Sequence, residues 1–180
     1  PGATVVRERL ASRRAFDKWP KSPVAANIGR SSKVPIEYDS EDYCSTLDLL
    51  WDHADIFVLN VSSPNTPGLR EIQGGPNLDS IISSCCELRQ NNLDPKPILL
   101  KLSPDSTDEQ ICEIVSKATS IGIDGFVATN TTVKRPIPGS TQSRKAYSND
   151  GGLSGRPLRD RAIEVISTVY QETDGTVTPI

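Results

Sequence analysis

Apolar residues in this chain fall into short continuous runs separated by stretches of helical period. Val24-Ala25-Ala26-Asn27-Ile28 is closed by Gly29, and Asp55-Ile56-Phe57-Val58-Leu59-Asn60-Val61 ends at Ser62-Ser63-Pro64. Pro97-Ile98-Leu99-Leu100-Lys101-Leu102 ends at Ser103-Pro104, Gly125-Phe126-Val127-Ala128-Thr129-Asn130 is a fourth run, and Val177-Thr178-Pro179-Ile180 reads as the opening of a fifth. Runs this short, punctuated by Gly, Pro and Ser, read as strands. They are apolar on both faces, as parallel strands covered on each side must be.

Between them the period changes. After a start at Asp39 or Ser40, Tyr43, Leu47, Leu50 and Ala54 share one helical face, and Leu78, Ile81, Cys85 and Leu88 share another. Thr107 and Gln110 form a capping-box pair ahead of the stripe Ile111, Ile114, Val115 and Ala118, with Gly122 as the stop. Leu158, Ala162, Val165 and Val169 form the last stripe, with Pro157 suited to its first turn. Val5, Val6 and Leu10 predict a helix before the first strand. Alternating strands and helices predict a parallel α/β architecture. Residues Arg135 to Asp150 show neither period, are polar and contain Pro136, Pro138 and Gly139, so they read as a long surface loop over a site.

At 180 residues the chain has room for one core and one domain. A hydrophobic content of 36% and a charged content of 24% fit a soluble globular domain. The net charge is -3 and Lys and Arg are scattered, so no nucleic-acid partner is expected. No run approaches the ~20 apolar residues of a membrane span. Cys44, Cys85, Cys86 and Cys112 lack a C-x-x-C pair, and His53 is the single histidine. No metal site is expected, and the thiols read as reduced residues on helices. Asp39, Glu41, Asp42, Asp48 and Asp52 read as a solvated helix face. Met is absent, so the chain is expected to be a central piece of a longer one.

The candidate chemistry lies where polar residues interrupt the apolar runs. Asn27, Asn60, Lys101, Thr129 and Asn130 all fall at or near the carboxyl ends of predicted parallel strands, where barrels and open α/β sheets alike bind ligands. An uncompensated amide or ammonium there costs a few kcal/mol. Any one of them has a local alternative, namely satisfying nearby backbone; together they point to one shared polar ligand. Lys101, inside an apolar strand, is placed to stabilise an anion on that ligand, or else pairs with a carboxylate. Asn60 to Arg70 is dense in turn residues directly after a strand. Gly151-Gly152-Leu153-Ser154-Gly155 precedes a helix and lets backbone approach a ligand, though without P-loop or Rossmann spacing.

Five blocks then carry a resemblance. They are Asn27-Ile28-Gly29-Arg30, Asn60-Val61-Ser62-Ser63-Pro64-Asn65-Thr66-Pro67-Gly68-Leu69-Arg70, Lys101-Leu102-Ser103-Pro104-Asp105, Asp124 to Thr132, and Gly151 to Leu158. In this order they resemble the dihydroorotate dehydrogenases of the second, quinone-reducing class. The resemblance implies a (β/α)8 TIM barrel, here incomplete, with about four to five parallel strands and flanking helices. It implies oxidation of (S)-dihydroorotate to orotate in pyrimidine (UMP) biosynthesis, with FMN as cofactor and quinone as acceptor. Ser63 matches the base and Thr66 its proton relay. Asn27, Asn60, Lys101, Thr129 and Gly155 match flavin contacts, and Asn60, Asn65, Asn130 and Thr131 match substrate contacts. The loop from Val133 to Asp150 matches a gate over the substrate pocket. Ser103 stands where many members have Ala.

The resemblance further implies an N-terminal segment, outside this sequence, that attaches the whole protein peripherally to a membrane, either the cytoplasmic face of a bacterial inner membrane or the mitochondrial inner membrane. The supplied piece, itself expected to be soluble, is expected neither to hold FMN tightly nor to turn over. Two competing readings remain: the soluble class using fumarate or NAD, which carries Cys at the Ser63 position, and an inactive α/β fragment with only a binding role.

Overall fold

A computed structural model describes residues 2–16, 18–62, 76–177 and 179–180. Helix α1 spans Ala3–Ala15, α2 Asp39–Leu50, α3 Pro76–Gln90, α4 Asp108–Ile121, α5 Thr141–Tyr147 and α6 Arg159–Glu172. Strands β1 (Ala25–Gly29), β2 (Ile56–Asn60), β3 (Ile98–Lys101) and β4 (Gly125–Val127) form one parallel sheet in sequence order. The expected fifth strand begins where predicted. Pro179 pairs in parallel with Phe126, and the Ile180 N–H donates to the Phe126 carbonyl at 2.9 Å. Four neighbouring parallel strands with helical crossovers make a segment of a barrel.

The two faces of the sheet differ. Phe57, Leu59, Ile98, Leu100 and Phe126 are buried against Tyr43, Leu47, Ile81, Cys85, Ile111 and Val115 of the helices, in one continuous core. Trp51 stacks on Phe57, with ring centroids 5.2 Å apart. Burying a side chain of this size contributes roughly 1.5–3 kcal/mol, so this face carries the fold. The opposite, inner face is built in layers by the register. Asn27, Val58, Leu99 and Gly125 lie level with one another, and Gly29 is level with Asn60 as Lys101 is with Val127. Continuing the β2–β3 register by one residue sets Asn60 level with Lys101. β1 departs from the expectation of apolar faces on both sides, because Ala25, Asn27 and Gly29 are exposed on its inner face.

The amino ends of the strands are tied down by carboxylates. Asp55 accepts from Val24 N–H (2.8 Å), Trp19 Nε1 (3.1 Å) and Arg14 Nη2 (2.9 Å). Partial burial pushes its carboxyl up, and these three donors outweigh that and hold it below the usual range. Asp124 accepts from Ile98 N–H at 2.8 Å and pairs with Arg89 of α3. These bonds fasten the end of the barrel that serves stability.

The Thr107 capping box forms as predicted. Gln110 N–H donates to Thr107 Oγ1 at 3.3 Å, and Thr107 N–H donates to Gln110 Oε1 at 2.9 Å. Gly122, at φ 122°, ends α4. Thr107→Ala is expected to cost about 1 kcal/mol, read as a Tm lowered by roughly 2–4 °C in the full-length protein.

Two expectations are corrected. Asp39 does not belong to a solvated face: it is 2% exposed and accepts from Arg30 Nε at 2.6 Å. An acid at the first turn of α2 also suits the helix dipole. The segment Arg135 to Asp150 is not loop throughout, since it carries α5.

Candidate active site

At the carboxyl ends of β2 and β4 the side chains form one network. Asn130, 9% exposed, donates from Nδ2 to Asn60 Oδ1 at 3.2 Å and to Ser62 Oγ at 3.0 Å. Ser62, fully buried, donates from Oγ to Asn60 Oδ1 at 3.3 Å, and its N–H lies 3.4 Å from the same oxygen. Asn60 Oδ1 is thus surrounded by donors. The Asn60 amide is fixed in one orientation, and Nδ2 is the group it presents. Asn130 is oriented the opposite way, because its Oδ1 accepts from Thr131 N–H at 2.8 Å. Its backbone N–H reaches back to the Leu102 carbonyl at 2.9 Å, which locks the end of β4 to β3.

Tyr43 supports this network from behind. Its hydroxyl donates to the Asn60 carbonyl at 2.9 Å, and the ring is buried in the core. Burial holds the phenol well above its usual pKa, so it remains a neutral donor. The helical stripe shows Tyr43 as a core residue, but the hydroxyl contact had no signal in the sequence. Ser62 was also missed as an individual residue, although it lies inside the quoted block.

The other predicted residues are placed as follows. Lys101 is half-buried at the end of β3, on the inner face at the level of Asn60. Asn27 is exposed one layer below and lines a groove of about 800 Å³ along β1 between α1 and α2. Thr129 is half-buried, and its hydroxyl donates to the Asn130 carbonyl at 3.0 Å. Gly155 is exposed at φ 79°, a conformation that favours glycine. Its segment is pinned to the end of β4, where Thr132 and Leu153 exchange backbone hydrogen bonds of 3.0 and 2.7 Å. Asn60 and Asn130 therefore touch, Asn60 and Lys101 share a layer, and Gly155 joins them only through its loop. Ser63, Asn65 and Thr66 lie outside the described residues.

Asn130→Ala removes the donor that holds two buried oxygens. The expected loss is about 1–3 kcal/mol, measured by chemical denaturation of the full-length protein.

Fold and site together define a parallel α/β-barrel segment with a preorganised polar ligand site at the carboxyl ends of its strands. The comparisons with known proteins are more specific. The chain belongs to the dihydroorotate dehydrogenase family, whose sequence model it matches over residues 1–180. A dihydroorotate dehydrogenase (quinone) of Trichormus variabilis is 39% identical over 180 residues, covering 98% of this chain and 46% of that protein. One from Halobacterium salinarum is 40% identical over 176 residues, covering 98% and 47%. The chain superposes on DHODH from Eimeria tenella, crystallised with ferulenol, at a TM-score of 0.86 and 29% identity, over 99% of this chain and 52% of that one. The chain spans about half the length of the curated relatives it matches.

Proposed function

We propose that the full-length protein oxidises (S)-dihydroorotate to orotate, in de novo pyrimidine biosynthesis, with FMN as cofactor and quinone as electron acceptor. The observation that carries this reading is the layer of Asn60 and Lys101 on the open inner face, with the Asn60 amide locked by Asn130 and Ser62. The residues present fit a flavin. A fixed amide donor beside a half-buried ammonium, above the apolar pair Val58 and Leu99, suits a flat, largely apolar ring with a polar, charge-accepting edge. The relatives named as quinone-dependent add the acceptor.

Asn27, Asn60, Lys101, Thr129 and Gly155 hold the cofactor in this reading. FMN bound there supplies the acceptor for hydride from substrate C6 and passes the electrons to quinone. Asn60, Asn65, Asn130 and Thr131 orient the pyrimidine and its carboxylate. Ser63 takes the proton from C5, and Thr66 leads that proton away. A serine hydroxyl is a weak base in water, so the pocket must exclude water and provide this relay.

No helix among the described residues is long and apolar enough to cross a membrane. The whole protein is proposed to meet quinone through a peripheral membrane attachment made by a segment outside this sequence, at the cytoplasmic face of a bacterial inner membrane or the mitochondrial inner membrane.

The test is dihydroorotate-dependent reduction of quinone, fumarate and NAD by the full-length enzyme, with flavin absorbance recorded. Reduction of quinone alone supports the reading. Reduction of fumarate or NAD in its place assigns the soluble class, and absence of both flavin and turnover leaves only a binding role.

A further inference from the structure

Between β4 and α6, residues 133–150 leave the sheet and return, carrying α5. A single guanidinium closes the base of this excursion. On the outgoing limb, Arg135 Nη1 donates to the carbonyls of Thr132 (3.2 Å) and Val133 (3.1 Å). On the returning limb, Nε donates to the Tyr147 carbonyl (3.1 Å), and Nη2 donates to those of Asn149 (3.3 Å) and Gly151 (2.6 Å).

The outgoing limb is also held from β3. Thr132 Oγ1 donates to Asp105 Oδ1, and Val133 N–H donates to Asp105 Oδ2 at 3.1 Å. The Asp105 loop is in turn fixed to α6, where Arg161 donates to the carbonyls of Pro104 (3.1 Å) and Ser106 (2.7 Å). Beyond this braced base the excursion faces solvent, with Ile137 96% exposed. A rigid base with an exposed tip is the construction of a hinged cover. The planar fork of an arginine can reach carbonyls on two limbs at once, whereas a lysine ammonium, with three donors and no plane, cannot hold both at a fixed angle.

We propose that Arg135 is a positioning residue for substrate closure. It clamps the two limbs so that residues 136–146 move over the carboxyl ends of the strands as one unit. This rests on the reading of the site as a dihydroorotate site, because the cover acts on whatever lies at Asn130 and Thr131.

The test uses the full-length enzyme with Arg135→Ala and Arg135→Lys. Arg135→Ala is expected to raise KM for dihydroorotate about tenfold while kcat changes less and KM for quinone does not move. Cutting between 136 and 150 by subtilisin, which has little sequence preference, is expected to accelerate several-fold, and orotate to protect this segment less than in the wild type. Arg135→Lys is expected to share most of the defect. Wild-type KM and cutting rate in Arg135→Ala would overturn the proposal, and so would full rescue by lysine, which would reduce the clamp to a charge. The cutting comparison needs no turnover. A wild-type enzyme inert toward dihydroorotate would therefore refute the assigned reaction while the cutting rates still decide on the clamp.

Discussion

Ser63→Ala in the full-length enzyme is expected to leave FMN bound and to slow its reduction by dihydroorotate by about 10²–10⁴-fold, the usual contribution of a positioned general base. The substitution removes one oxygen from a residue that directly follows Ser62, and Ser62 is already fully buried in the network with Asn60 and Asn130. That network does not involve the Ser63 hydroxyl, so flavin absorbance should persist while stopped-flow reduction fails. Ser63→Cys is the informative companion. A thiol with a pKa near 8.5 is far more easily deprotonated than a hydroxyl, so part of the rate should return, with its pH profile moved toward lower pH. Reduction at an unchanged rate in Ser63→Ala would remove the serine from the base role and leave the family assignment standing.

The strands could be read from the sequence because each is an apolar run with a punctuated end, and the register then follows from parallel pairing of consecutive strands. Thr107 and Gln110 announced α4 because a capping box is a local signal, complete within four residues. Asp39 was misread for the opposite reason. Its partner Arg30 lies nine residues earlier, at the end of β1, and an acid next to Glu41 and Asp42 looks like any solvated helix start. α5 was missed because it has no core to face; almost all its described side chains are exposed, so no apolar stripe marks its period.

Within the site, the residue types were legible and their wiring was not. Asn60, Lys101 and Asn130 stood out as polar interruptions of apolar strands. The hydroxyl of Tyr43 on the Asn60 carbonyl, and the grip of Arg135 on backbone carbonyls of two limbs, left no trace in the sequence. Carbonyl acceptors exist at every position and carry no residue signature, so such contacts appear only once the chain is folded.

Lys101→Met is expected to weaken FMN binding, to lower the flavin midpoint potential and to slow reduction by about 10²–10³-fold, the loss typical of removing one preorganised electrostatic group. The position dictates this. Leu100 and Leu102, its neighbours in the chain, are buried on the helical side of the sheet, so Lys101 alternates onto the inner face, level with Asn60 and one layer above Val58 and Leu99. An ammonium at the edge of an apolar layer is poorly solvated, and its field on a neighbouring ring is correspondingly strong. In the proposed complex it stabilises the negative charge that builds at the N1/O2 edge. Removing it raises the free energy of the charged form alone, so the potential must fall; each tenfold loss of that preference corresponds to about 30 mV for a two-electron couple. A purely structural lysine would change flavin affinity or protein stability and leave the potential of the bound flavin where it was. An unchanged potential in flavin-loaded Lys101→Met would therefore assign Lys101 to the scaffold, and a fall of at least that size assigns it to the chemistry.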